Sequence, residues 1–185
     1  MLAACSTVSD SRFADRAEFD NFDAVLIDPV GVDFSEDWKP MRPLSRVAIP
    51  ESDVERIRER IRRVFNQEFR ASLERQGIRV VDEPGPNVLR ITPALRDVVV
   101  SAPAPQDNYG DIYARTVGEA TLLAAFSDSQ SDKAFMLIED FQRGRQVEVL
   151  ERASQQYNDQ RFGQMFEQWG LLIGQELLGP RYAAN

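Results

Sequence analysis

The residue best suited to covalent chemistry in this 185-residue chain is its only cysteine, Cys5, which follows Leu2, Ala3 and Ala4. A leucine and small residues before a cysteine are typical of the lipobox at which a bacterial lipoprotein signal is cleaved. The thiol then carries a diacylglycerol, and acylation of the freed amine adds a further chain that makes the anchoring stable. The pattern therefore predicts lipid attachment at Cys5 and a membrane partner through that lipid.

Only four residues precede Cys5, so the charged and apolar parts of a signal peptide are missing. We expect that the true start lies upstream of Met1 or that the chain was trimmed; a true start at Met1 would instead leave the protein in the cytoplasm. Ser6 follows the cysteine, and a residue other than Asp at that position favours the outer membrane in enterobacterial-type sorting. The expected location is the periplasmic face of the outer membrane.

The composition argues against several functional classes. The net charge of -8 disfavours a phosphate backbone as partner, so we expect no nucleic-acid binding. The chain has no histidine and one cysteine, which removes the commonest general base and a thiolate zinc site. No cofactor, metal site or catalytic residue is therefore predicted, and the expected class is non-enzymatic.

Carboxylates offer the main alternative chemistry. Asp28 and Asp33 flank a Pro-Gly segment, and Asp82 and Glu83 lie at a turn. Paired carboxylates serve acid–base hydrolysis of glycosides, but Asp beside Pro or Gly more often caps backbone amides. A periplasmic hydrolase or a lipid-binding carrier is the alternative function. The segment 128–133 has oxygen ligands but lacks the Gly and closing Glu of a calcium loop, and is predicted as a hairpin turn.

Two apolar residues lie in a proline-rich loop. Trp38 and Met41 are the candidates for a partner contact if they are exposed, because exposed large apolar side chains anchor protein interfaces. Trp38 could equally seal the edge of a sheet.

The spacing of apolar residues predicts two helices and several strands. A first strand spans 22–34 and ends or bulges near Pro29 and Gly31. The first helix is capped by Ser52 or Asp53 and ended by Gly77. The apolar positions of the two helices are Val54, Ile57, Ile61, Val64, Phe65, Phe69 and Leu73, then Phe162, Met165, Phe166, Trp169, Leu172, Ile173 and Leu177.

Strands are predicted on either side of a turn at 82–87 and in a hairpin with its turn at 128–133. Pro93 lies inside one strand, which predicts either an edge strand or a bulge there, and an exposed edge beside Pro93 would be a natural docking site. The predicted class is α+β, with a mostly antiparallel sheet of about five strands and two amphipathic helices packed on one face. The expected organisation is a signal remnant (1–5), a flexible tether (6–20), one domain (21–179) and a tail (180–185).

Several segments resemble one family in the right order. They are "FDAVLIDPVGVDF", the first helix, "VDEPGPNVLR" (81–90), Glu119 with Asp128 and Ser129, and a late helix carrying Phe166 and Trp169. Together they resemble the domain of unknown function 3313 family of proteobacterial lipoproteins, over about residues 20–178. That resemblance implies a lipobox and no established activity, and the element order is similar to small envelope lipoprotein domains that regulate or assemble other machines.

Sequence and resemblance together predict an uncharacterised, non-enzymatic cell-envelope lipoprotein. Its expected role is an accessory or scaffold module that binds another envelope component, either a protein or peptidoglycan. The tether of residues 6–20 spans at most about 50 Å when extended, so that partner is expected close to the membrane or the adjacent cell wall. The sequence leaves the oligomeric state open.

Overall fold

The computed structural model describes residues 19, 21–39, 48–100, 113–114, 118–131, 133–143, 151–152 and 155–178. Ten elements are described within these ranges. They are β1 (Ala24–Ile27), β2 (Gly31–Phe34), α1 (Glu51–Arg75), β3 (Val80–Val81), β4 (Val88–Val100), β5 (Tyr113–Ala114), β6 (Gly118–Asp128), β7 (Ala134–Arg143), β8 (Glu151–Arg152) and α2 (Gln155–Leu178).

The strands form one main sheet of six and a small pair. The main sheet runs β3-β1-β4-β6-β7, with β2 beside β4 beyond the end of β1, and β5 pairs with β8 separately. β1 is parallel to β3 and β4, and β2 is parallel to β4, whereas the long β4–β6 and β6–β7 pairings are antiparallel. The α+β class is confirmed, and the sheet is mixed, with antiparallel pairing confined to its longest ladders.

Of the two expectations for the strand that contains Pro93, an edge strand is wrong because β4 is central, whereas a bulge is present further along β4, between Arg96 and Val99. β4 has β1 and β2 on one side and β6 on the other. β1 ends opposite Ile91 and β2 begins opposite Ala94, so Pro93 faces the break between them. The amide of Asp28 donates to Ile91 O, and backbone groups two residues further on point the same way. The missing N–H of Pro93 therefore faces a gap in the ladder, and no free edge exists there.

Both helices obey the predicted spacing. α1 buries Ile61, Phe65, Phe69 and Leu73 on one face. The expected caps Ser52 and Asp53 are wrong, since the N-cap residue is Pro50, whose carbonyl accepts from the amides of Asp53 and Val54.

The predicted stop at Gly77 is confirmed. Its φ of 82° allows its N–H to reach Glu74 O, while the N–H of Ile78 reaches Leu73 O. These two bonds form a Schellman motif, which satisfies carbonyls that the end of α1 would leave unpaired.

The two helices run parallel and touch along a seam of small residues. Gly163, Gly170 and Gly174 of α2 lie against Glu68, Ser72 and Gln76 of α1. Ser72 Oγ donates to Glu167 O at 2.9 Å, and Gln76 Nε2 donates to Gly170 O at 3.0 Å. Salt bridges join Arg60 to Asp159 and Arg75 to Glu167 at the flanks. Backbone proximity and side-chain-to-backbone hydrogen bonds therefore fix how the helices pair.

The core lies between one face of the sheet and both helices. Phe65 and Phe69 of α1 and Phe166 and Trp169 of α2 pack with buried sheet residues such as Leu95 and Phe126 in one cluster. Leu172 departs from its predicted place in the core and is 45% exposed. Neither described helix combines the length and apolar character that crossing a bilayer requires.

Candidate functional site

Trp38 lies just after β2 and is half-buried. Its indole stacks on Phe34 with ring centroids 4.3 Å apart, and Nε1 donates to Val100 O at 2.9 Å. The guanidinium of Arg58, on α1, lies over the same Phe34 ring, with its carbon 5.3 Å from the ring centroid. Trp38 thus fastens the chain after β2 to the end of β4. Cys5 and Met41 lie outside the described residues, and a partner contact at Trp38 and Met41 stays a prediction.

Of the four candidate carboxylates, Asp28 and Asp82 are engaged in structural contacts, whereas Asp33 and Glu83 are exposed. Asp28 accepts a hydrogen bond from Thr92 Oγ1 at 2.6 Å, and its other oxygen lies 3.3 Å from Arg90 Nε. Asp82 is paired with Arg70 of α1. Asp28 therefore joins β1 to β4 beside the strand break, and Asp82 joins the turn before β4 to the helix above it.

The turn at 82–87 is clamped by a residue that directly follows β6, the strand next to β4. Ser129, which is 5% exposed, accepts from the Gly85 amide at 3.0 Å and donates to Gly85 O at 2.9 Å. Its own amide donates to Val88 O at 2.9 Å. Two of the segments that carry the family resemblance, 81–90 and 128–129, therefore meet in space, and their contact holds the turn across the start of β1.

The predicted hairpin and its turn are confirmed between β6 and β7. Asp128 Oδ1 accepts from the Gln130 amide at 2.8 Å, which is the local bond of an Asx turn. Asp132, the second acidic residue of this turn, lies outside the described residues. Across the described part of the chain, no group of three or more potential metal ligands comes together.

A cleft of about 720 Å³ lies where α1 passes the break between β1 and β2. It is open to solvent, and its only carboxylate, Glu59, is paired with Arg62. Its lining residues are Pro29, Val30, Gly31, Glu59, Arg62, Arg63 and Asn66. This lining offers neither the convergent carboxylates of a hydrolase nor the continuous apolar wall of a lipid carrier.

The clearest unsatisfied surface among the described residues is on β7, at the end of the sheet. Leu137 is 55% exposed and Phe141 is 54% exposed, and both lie on the sheet face turned away from the helices. Opposite them on β6 lie Ala125 and Thr121. We call this surface the β7 face, defined as the side chains of Leu137, Glu139, Phe141 and Arg143. Exposed apolar side chains in one row are typical of an interaction surface.

The sequence did not single out the β7 face, and its pattern explains why. The strand "AFMLIEDFQR" has apolar and charged residues on both faces, so period-2 alternation does not separate the buried side from the open one. The inward row includes Asp140, whose carboxylate accepts from Trp169 Nε1 at 2.7 Å. A polar residue therefore lies inside and a phenylalanine outside.

The chain belongs to DUF3313, a family of proteins of unknown function, whose model matches residues 6–170. The resemblance to the DUF3313 family is thereby confirmed, while lipid attachment at Cys5 stays a prediction. No curated protein matches this chain significantly.

Solved structures resemble it at low identity. Protein XCC0632 from Xanthomonas campestris, of family DUF330, has 13% identity and a TM-score of 0.44, with 87% of each chain covered. The PelC dodecamer from Paraburkholderia phytofirmans has 10% identity and a TM-score of 0.40, covering 85% of this chain and 88% of that one. Hypothetical protein CT253 from Chlamydia trachomatis has 10% identity and a TM-score of 0.41, covering 84% and 98%. At these values the likenesses indicate nothing about what this chain does.

Proposed function

We propose that this protein is a non-enzymatic, lipid-anchored module of the cell envelope that acts as an accessory or scaffold by binding an envelope protein. The lipid is attached at Cys5, and residues 6–20 are the tether between the membrane and the domain. The observation that carries the binding role is the row of exposed apolar side chains, Leu137 and Phe141, on a strand at the end of the sheet.

The engagement of the polar groups supports a binding role over catalysis. Asp28 is held by Thr92 and Arg90, and Ser129 by Gly85, so these side chains tie strands and turns together. The β7 face differs, because its two largest side chains are more than half exposed. A partner that covers them would remove apolar area from water, which is the main favourable contribution to protein association.

The anchoring part of the proposal is tested on the gene with its natural upstream region. Wild type, Cys5→Ser and the matched control Ser6→Ala are compared by membrane fractionation and intact mass. We expect wild type and Ser6→Ala in the outer membrane with the added mass of acyl chains, and Cys5→Ser released and unmodified. Soluble, unmodified wild type would refute the anchor.

The binding part is tested by photo-crosslinking in cells. A photoreactive residue is placed at Phe141 and, as the control, at Gln168, which is exposed on α2. We expect a discrete protein adduct from position 141 and none from position 168. An adduct with peptidoglycan alone would refute a protein partner, and no adduct from position 141 would refute binding through the β7 face.

A further inference from the structure

The outer edge of β7 carries the backbone groups that another strand needs. Ile91 O accepts a hydrogen bond from the chain at the end of β1, so the backbone N–H and C=O of Ile91 point away from β6. Phe126 lies opposite Ile91 on β6, and its N–H and C=O therefore point towards β7. Phe126 faces Met136, so the even-numbered residues of β7 bond to β6. The odd-numbered residues therefore direct their N–H and C=O groups outward, where no strand of the described part of the chain pairs with them.

The same odd-numbered residues place their side chains on the β7 face. Glu139 is exposed and makes no ion pair with any residue that the structure describes. Arg143 is held by Glu119 at 2.8 Å, yet its side chain is 60% exposed, so part of its guanidinium is open to a second carboxylate. An acidic and a basic residue thus flank Phe141 at equal distance along the strand.

This symmetry identifies the partner. We propose that β7 pairs antiparallel with β7 of a second copy of this chain, about a twofold axis at Phe141, so that the two main sheets join. The inference rests on the proposed use of the β7 face and names its occupant. In this register Phe141 lies opposite Phe141, and Glu139 of each copy lies opposite Arg143 of the other. Cross-strand pairs of these kinds stabilise antiparallel sheets.

Charge selects this register over those with the axis at residues 138–140. An axis at Glu139 would bring two Glu139 side chains together, and an axis at Ile138 would place Lys133 opposite Arg143. An axis at Asp140 would bring two Asp140 side chains together on the helix side. Among axes at residues 138–141, only Phe141 gives two opposite-charge pairs and no like-charge pair, and like charges directly opposite each other destabilise a sheet.

The pairing also has a place for Leu172, one of the two exposed leucines of α2. Gly170 and Gly174 face α1. Helical spacing places Leu172 on the side of α2 that points away from α1, next to Trp169. Trp169 reaches Asp140 of β7, so this side of α2 lies above the edge strand. A twofold axis perpendicular to the sheet would bring these sides of the two α2 helices towards each other and keep both β7 faces on one side of the joined sheet.

Charge exchange in the full-length Cys5→Ser protein tests the pairing, with dissociation constants from sedimentation equilibrium. In a Glu119→Gln background, which removes the carboxylate that holds Arg143 within its own chain, we expect Glu139→Arg and Arg143→Glu each to weaken dimerisation at least tenfold, and the double exchange to restore it to within about threefold. Glu83→Arg, at the exposed turn before β4 and away from β7, is the control and should leave the constant unchanged. A monomer at all concentrations, or single variants that dimerise as wild type does, would overturn the pairing.

Cysteine crosslinking fixes the register. In the Cys5→Ser background, Phe141→Cys should form a disulfide dimer on oxidation, because residues opposite each other lie about 5.5 Å apart between Cα atoms. Glu139→Cys should not crosslink with itself, but should crosslink with Arg143→Cys when the two are mixed. A dimer from Glu139→Cys alone would place the axis elsewhere and overturn the register.

The photo-crosslinking from position 141 separates the two levels of the proposal. An adduct with twice the mass of the chain supports self-pairing. An adduct with a different envelope protein overturns self-pairing while the proposed binding role stands. No adduct overturns both.

Discussion

Replacing Gly170 with alanine tests the close packing of the two helices. At an open helical position this change would stabilise the protein, because glycine costs about 1 kcal/mol relative to alanine. At Gly170 the new Cβ would lie 2.5 Å from Ser72 Cβ, 2.8 Å from Ser72 Oγ and 3.1 Å from Phe69 O. Two of these three neighbours are a Cβ atom and a backbone carbonyl, so no rotation of a side chain relieves the contact.

The magnitude follows from three contributions. Overpacking of a close-packed site costs about 1–3 kcal/mol. Displacing Ser72 weakens its bond to Glu167 O, which costs about 1 kcal/mol more. The gain in helix propensity offsets about 1 kcal/mol. We therefore expect the free energy of unfolding to fall by about 1–3 kcal/mol.

Urea unfolding followed by circular dichroism measures the change. With an m-value of about 2 kcal/mol/M, the midpoint should fall by about 0.5–1.5 M at unchanged slope. Gly174→Ala is the matched control, since its new Cβ meets only the end of the flexible Gln76 side chain, and its loss should be smaller. Ser72→Gly removes the obstructing atoms and should cost less in the Gly170→Ala background than alone.

A Gly170→Ala protein that is as stable as wild type, or more stable, would refute the reasoning. It would mean that the helix axes lie further apart and that helix propensity dominates at this position.

Two further substitutions test contacts that tie distant segments together. Ser129→Ala leaves both backbone groups of Gly85 without their partner, and its free energy of unfolding should fall by about 1–3 kcal/mol, against a smaller change for the exposed control Ser131→Ala. Trp169→Phe removes the hydrogen bond to Asp140 and should cost about 1.5–3 kcal/mol in urea unfolding. An equal loss for Trp169→Phe in an Asp140→Ala background would show that this bond contributes nothing.

Features governed by local spacing were predictable from the sequence. The face of α1 and the Gly77 stop follow from residues a few positions apart, as does the β6–β7 hairpin. The strand that contains Pro93 was expected at a sheet edge. A central strand accepts this proline only because β1 and β2, about 60 residues earlier, leave a break opposite it. That break was itself expected near Pro29, but nothing local places it opposite Pro93.

The candidate site was less predictable, because edges and open faces are properties of topology. The exposure of Leu137 and Phe141 depends on β7 being the last strand of the sheet, which no pattern within β7 encodes. Leu172 was placed in the core by helical spacing alone and proved exposed. The helix seam did leave a signal, since Gly163, Gly170 and Gly174 recur at intervals of seven and four residues on one side of α2.

The position of β1 has a consequence for the order in which the domain assembles. β1 is inserted between β3 and β4, which are themselves joined by only six residues, 82–87. The amide of Asp23 bonds to Asn87 O, and Val25 pairs with both Val80 and Leu89. During synthesis β1 is therefore made first but can pair only after β3 and β4, more than fifty residues later, have been made. The central position of β1 between them is filled late in the assembly of the sheet.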